Sequence, residues 1–262
     1  MFRSFFIYLS KANWAQRLVS GWGFAWRAAS RFVAGETIES ALGVVQELNG
    51  RGIHATLDHL GEHTETRQEA EKATEAILEL EERIQASRLC ANVSVKLTQI
   101  GLALDEGLCA ANLERIVVRA GEYHNFVRID MEDTPYTDRT IRAYRQMRER
   151  GHENVGLVVQ SYLYRTEKDV RELIGEGTRF RLVKGAYLEP AGLAYPKKAD
   201  VDANFDLLTQ LMVEGALAGG APGVGSDGCI PPIPAIGTHV PMGMEVAMKY
   251  PAGVGARNRR RL

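Results

Sequence analysis

The apolar positions of this chain follow two alternating rhythms. From Thr37 to Asn49, Ile38, Ala41, Leu42, Val45 and Leu48 recur at helical spacing, and Gly50 follows as a stop signal. His54 to Leu60 reads as a short strand, and Thr64 to Ser87 as a long charged helix with Ala73, Ile77, Leu80 and Ile84 on one face. The unit then repeats. Strands are predicted over Asn92 to Leu97, Phe126 to Met131, Val155 to Gln160 and Phe180 to Val183. Helices are predicted over Gly107 to Tyr123, Thr137 to Arg150, Glu167 to Ile174 and Asp200 to Leu217, with Asp138 in the first turn of the second of these. After Leu217 the residues Ala218 to Pro234 are rich in Gly, Pro and Ala, and one more strand-like piece, Pro234 to Thr238, precedes His239.

Short apolar strands alternating with amphipathic helices imply parallel pairing, because each crossover helix returns the chain to the same edge. No G-x-G-x-x-G follows any strand, which favours a TIM-like β/α barrel over a doubly wound dinucleotide-binding sheet. The length of 262 residues suits that class, where roughly 250 are typical. Only about six strands are found where closure needs eight, so the barrel is expected to be incomplete at its C-terminus. The expected layout is a helical cap over residues 1–36, the barrel over 37–249 and an irregular basic tail over 250–262.

Composition narrows the partners. A formal net charge of −1 provides no general attraction to nucleic acid or anionic lipid. Cys90, Cys109 and Cys229 lie far apart, show no C-x-x-C spacing and suit a reducing, cytoplasmic setting. No apolar run reaches the roughly 18 to 20 residues of a membrane span. Before Glu36 the chain is basic and tryptophan-bearing, which reads as an amphipathic cap, a transit peptide or a membrane-surface helix.

Candidate chemistry belongs at the carboxyl ends of the strands, where Lys96, Asp130, Gln160 and Lys184 fall. Lys96 either binds an anion at the barrel mouth or extends to water. Asp130 ends an apolar strand and needs a cationic neighbour, from Lys96 or Arg181. Glu132 and Asp133 read as solvated loop acids or as helix N-terminal charges. Arg181 and Lys184 bracket a strand, and Gly185 with Ala186 permits close approach of a flat or anionic ligand. His54, His59 and His63 include a four-residue spacing, but Gly61 interrupts the turn a metal site would need.

Taken together, NVSVKLTQIGLALD, VRIDMEDTPYTDRTI, VGLVVQSYLYRTEKDV and RLVKGAYLEP resemble successive strand-end motifs of bacterial monofunctional proline dehydrogenases, over about Ala34 to Leu211. RFVAGET and PAIGTHVP add to the likeness, although Val240 stands where that family usually has aspartate. The resemblance implies a distorted barrel whose apolar mouth holds FAD. It also implies oxidation of L-proline to 1-pyrroline-5-carboxylate, with electrons passed to a quinone at the membrane's inner face and the product to a pyrroline-5-carboxylate dehydrogenase. It implies Asp130 and Arg181 as catalytic residues and Lys96 and Tyr187 as substrate contacts. Met131, Gln160, Lys184, Gly185, Ala186, Thr238 and His239 are implied as cofactor contacts. The family's final helix, with its tyrosine and paired arginines, has no match after His239, so a truncated or frame-shifted chain of impaired activity is expected. The competing expectations are a non-catalytic flavin-binding remnant and a barrel lyase using a Schiff base on Lys184.

Overall fold

The computed structural model describes residues 34–61, 64–219, 229–231 and 234–238. His63, His239, the segment 1–33, most of 218–234 and the basic tail lie outside them. The chain divides into two units at Ile53 and His54. In the first, helix α1 (Ile38–Gly50) begins with a reciprocal cap: the Ser40 amide donates to the Thr37 hydroxyl and the Thr37 amide donates to the Ser40 hydroxyl. This helix buries Leu42 and Val45.

The second unit alternates β1 (Ala55–Asp58), α2 (Arg67–Ala86), β2 (Ala91–Val95), α3 (Glu106–Glu122), β3 (Val127–Ile129), α4 (Thr134–Glu149), β4 (Val155–Gln160), α5 (Thr166–Ile174), β5 (Phe180–Val183), α6 (Lys198–Ala218) and β6 (Ala235–Ile236). All six strands pair in parallel and in chain order, forming an α/β half-barrel. Helix α4 starts three residues before the periodicity predicts. Asp133 takes the extended N-cap conformation and Pro135 occupies the first turn, where its missing N–H costs nothing. Asp138 is therefore a full turn inside the helix, where it pairs with Arg165 at 2.6 Å.

Side chains alternate across the sheet, and the two faces differ sharply in chemistry. Val93, Val95, Val127, Ile129, Val155, Leu157, Val159, Phe180 and Leu182 are almost wholly buried and form the apolar outer face under the helices. The intervening positions carry Thr56, Asn92, Ser94, Arg128 and Arg181. This inner face also carries Val158 and Val183, so it is mixed, with most of its polar groups on β2, β3 and β5.

The polar groups also show that the sheet is curved. Strands β2 and β5 are separated by two others, so in a flat sheet they would stand roughly 14 Å apart. Arg181 of β5 nevertheless reaches the Ser94 hydroxyl of β2 at 3.1 Å. At the other end of the interior, Asn92 donates to the Cys229 carbonyl at 3.0 Å and Arg179 to the Pro231 carbonyl at 3.1 Å, holding the segment that leads into β6.

Arg128 is 2% exposed, donates to the Arg179 carbonyl and sits 4.7 Å from the centre of the Phe126 ring. Its space exists because Gly156 is its register partner on β4. A Cβ on Gly156 would lie 2.7 Å from Arg128 Nη1, 2.6 Å from Phe126 Cζ and closer still to the Arg179 carbonyl. Gly156→Ala is expected to destabilise the fold by about 1–3 kcal/mol, because backbone as well as side chain must yield. Denaturant unfolding with an unchanged midpoint would show that the sheet gives way freely at this point.

Glu81 on α2 is 1% exposed, and neither carboxylate oxygen has a hydrogen-bond partner. Burial pushes its pKa up to about 9, with the charge of Arg119 opposing weakly. Between the ordinary value of 4.5 and about 9, the folded chain holds a proton that the unfolded chain releases, so stability falls as pH rises through that window. Glu81→Gln should flatten this dependence. Thermal unfolding of both proteins between about pH 5 and pH 9 tests it, and parallel slopes would contradict the assignment.

Candidate active site

Four charged groups form a continuous run across the carboxyl ends of the strands. Lys96, one residue past β2, bonds Asp58 at the end of β1 and lies 3.6 Å from Asp130 Oδ2. Asp130, one residue past β3, accepts from the Ser94 hydroxyl and from Arg181 Nη2 through its other oxygen. Both cations expected to partner Asp130 therefore do so. Burial pulls the Lys96 pKa down, but the hydrogen bond and charge of Asp58, with Asp130 and Glu132, more than offset it and the pKa is raised. Lys96 is an ammonium at neutral pH. Below the run lies Arg128, whose pKa is lowered to about 9 by burial and then by the charge of Arg181, leaving it a cation as well.

Beside this run, Gln160 ends β4 with 2% exposure. Its Nε2 donates to the Met131 carbonyl at 2.7 Å and to the Glu132 carbonyl at 3.1 Å, while Oε1 is buried without a partner. Arg181 Nε is likewise buried and unpartnered. Glu132 is a correction to its reading as a solvated acid: it is 2% exposed and accepts from the Thr98 amide and hydroxyl. It braces the loop after β2 against the loop after β3.

The stretch after β5 has a different setting. Lys184 bonds Asp202, a full turn inside α6, with its ammonium 5.6 Å from the centre of the Phe205 ring. An ammonium held this way is a poor nucleophile, which speaks against Schiff-base chemistry. Gly185 has φ +105°, and a Cβ there would collide with the Tyr162 ring. Ala186 is exposed, and Tyr187 is half-buried. Burial, followed by the charges of Glu132, Asp133, Asp130 and Asp58, pushes the Tyr187 pKa up to about 12. Thr238 is half-buried just after β6.

The structure thus joins Lys96, Asp130 and Arg181 in one network, and Met131 with Gln160 in another. Asp58, Arg128 and Glu132 were not singled out by sequence as members of the site. Asp58 could have been found, since it ends its strand as Asp130 does. Arg128 lies two positions before Asp130, on the same face of the strand. Of the histidines considered for a metal, His59 meets the Gln99 side chain at 2.9 Å, and no metal-binding cluster occurs among the described residues. Cys109 is buried, which pushes its thiol up to about 12, while Cys90 and Cys229 are half-buried.

The arrangement suits a flat, polar-edged ring. The unpartnered acceptor on Gln160 and the unpartnered donor on Arg181 are complementary to ring N–H and ring nitrogen groups, whereas the space a Gly185 side chain would take is filled by the Tyr162 ring, so the expected close approach of a ligand there is corrected to a packing role. The neighbouring cations suit a carboxylate.

Comparison with known proteins identifies the family. Residues 41–250 match the family described as proline dehydrogenase. Proline dehydrogenase 1 of Bacillus subtilis is 38% identical over 81% of this chain and 70% of its own length. Proline dehydrogenase of Deinococcus radiodurans is 44% identical over 69% of this chain and 59% of its own. The chain therefore spans about two thirds of the length of these relatives. Proline utilization A of Bdellovibrio bacteriovorus, inactivated by N-propargylglycine, superposes with a TM-score of 0.75 at 22% identity, over 88% of this chain and 27% of that one. On the family match and these relatives together, the chain belongs to the proline dehydrogenase family.

Proposed function

We propose that this chain oxidises L-proline to 1-pyrroline-5-carboxylate, the first step of proline degradation to glutamate, by hydride transfer to FAD. The observation that carries the reading is Asp130 held between Lys96 and Arg181, beside the unpartnered polar atoms of Gln160 and Arg181. The family is one of flavin-dependent oxidoreductases, and FAD is the form inferred.

When bound, a flavin supplies an oxidised ring that takes up hydride. The chain's own residues bind and orient. Lys96 meets the proline carboxylate, and Asp130 fixes both Lys96 and Arg181, so that substrate and cofactor are held in one frame. Tyr187 walls the pocket. Met131 and Gln160 would contact the ring, with Arg181 near its reactive edge, while Lys184, Gly185 and Ala186 would line its chain and Thr238 with His239 would hold the distal part. The interior cations Arg128 and Arg181 favour negative charge developing on an acceptor in that space.

The electron acceptor inferred is a quinone, reached by peripheral contact with the cytoplasmic face of a membrane, and the product would pass to a pyrroline-5-carboxylate dehydrogenase. Among the described residues, no helix is long and apolar enough to cross a membrane. The barrel is assigned to residues 37–249, with a cap before it and a basic tail after it.

The purified protein is expected to show a flavin spectrum that bleaches on addition of proline. Arg181→Met should lower kcat/KM by about 10- to 100-fold, the worth of one charge-assisted contact. A colourless protein, or an Arg181→Met variant with wild-type kinetics, would sink the reading. Asp130→Ala leaves two half-buried cations short of a partner and should cost on the order of 1–3 kcal/mol in denaturant unfolding, with Asp130→Asn milder.

A further inference from the structure

Asp58 is the member of the charge run to which substrate and cofactor binding assign no role. Its Oδ2 accepts from Lys96, and its Oδ1 is shut off from solvent with no hydrogen-bond partner. The neighbouring acids are committed. Asp130 has one oxygen on Ser94 and Arg181 and the other facing Lys96. Glu132 has its two oxygens on the amide and hydroxyl of Thr98. Asp133 also has a buried unpartnered oxygen and makes no side-chain cap bond to α4, but, unlike Asp58, it is joined to neither Lys96 nor Arg181 by an ion pair among the described residues.

An unpaired carboxylate oxygen withdrawn from water is costly, so its presence beside a cation calls for a donor absent from the folded chain itself. Register places Asp58 opposite Ser94, next to the Ser94–Asp130–Arg181 group. In an α-amino acid the nitrogen is two bonds from the carboxylate carbon. A carboxylate held on Lys96 therefore brings an N–H donor to the neighbourhood of Asp58.

We propose that Asp58 is a catalytic residue that hydrogen-bonds the substrate nitrogen and receives its proton. The inference rests on the reading of the site as one for proline oxidation, with Lys96 on the substrate carboxylate. Bound proline enters as a secondary ammonium. One N–H bond breaks, the proton goes to Asp58 Oδ1, and the nitrogen regains its lone pair. The lone pair forms the C=N bond as the C5–H bond breaks and hydride passes to the oxidised flavin. Proline loses one proton and one hydride, leaving protonated pyrroline-5-carboxylate, and the flavin is reduced by two electrons.

The test compares two ligands of the flavin-loaded protein by calorimetry, with the flavin reduced beforehand so that proline binds without turnover. L-Proline carries the nitrogen, and cyclopentanecarboxylate has the same ring without it. Asp58→Asn should weaken proline about 10- to 100-fold and cyclopentanecarboxylate less than about twofold, whereas Lys96→Met should weaken both alike. In turnover, Asp58→Asn should lose on the order of 100-fold or more in kcat, since an amide accepts no proton. Equal weakening of both ligands by Asp58→Asn would overturn the proposal, reducing Asp58 to a prop for Lys96 while leaving the proline reading intact. Wild-type protein that binds neither ligand would overturn that reading and this proposal together. If Asp58→Asn fails to fold, Asp58→Glu replaces it: retained preference for proline over cyclopentanecarboxylate supports the proposal, and loss of that preference with both ligands still bound overturns it.

Discussion

Charge inside a sheet must be neutralised by charge, and here that requirement is met between strands. The Asp130 carboxylate accepts from Arg181 across the half-barrel and faces Lys96 on the adjoining strand, which is held in turn by Asp58. Removing Asp130 leaves half-buried Arg181 without an anionic partner and Lys96 with Asp58 alone, a costlier state than the intact run. The curvature of the sheet, the Ser94 hydroxyl aimed at Asp130 and the position of Gln160 beside Met131 are arranged around this run. The same groups that close the electrostatics of the interior are those assigned to meet substrate and flavin.

The order of the elements was legible because the apolar outer face leaves a strong pattern. Val155 to Gln160 and Phe180 to Val183 have the bounds that their apolar runs predict. The other strands are shorter than predicted, since the residues at their ends leave the ladder to serve the mouth. Helix α4 begins early because the start was read from apolar spacing, whereas Asp133 and Pro135 set it by backbone geometry.

The site was legible where a charged residue interrupts an apolar strand end, as at Lys96 and Asp130. The same rule applied to β1 would have picked out Asp58. Arg128 was hidden for a different reason: its tolerance depends on the absence of a side chain at Gly156, a partner that only register reveals. Glu132 follows Asp130 in sequence as an ordinary loop acid would. Its burial against Thr98 arises from the packing of two loops, which no local pattern records.

The segment before β6 carries a consequence for how the molecule assembles. Cys229 and Pro231 are held through their carbonyls by Asn92 and Arg179, side chains that project from the inner ends of β2 and β5. The first of these contacts spans 137 positions of chain, whereas neighbouring strands are joined through a single crossover helix. Entropy of loop closure favours the shorter connections, so the five earlier strands condense progressively before the last can dock. Strand β6 is two residues long and adds little pairing of its own. Its arrival is therefore templated by a polar floor that already exists, which makes it the latest part of the sheet to form and the earliest to leave.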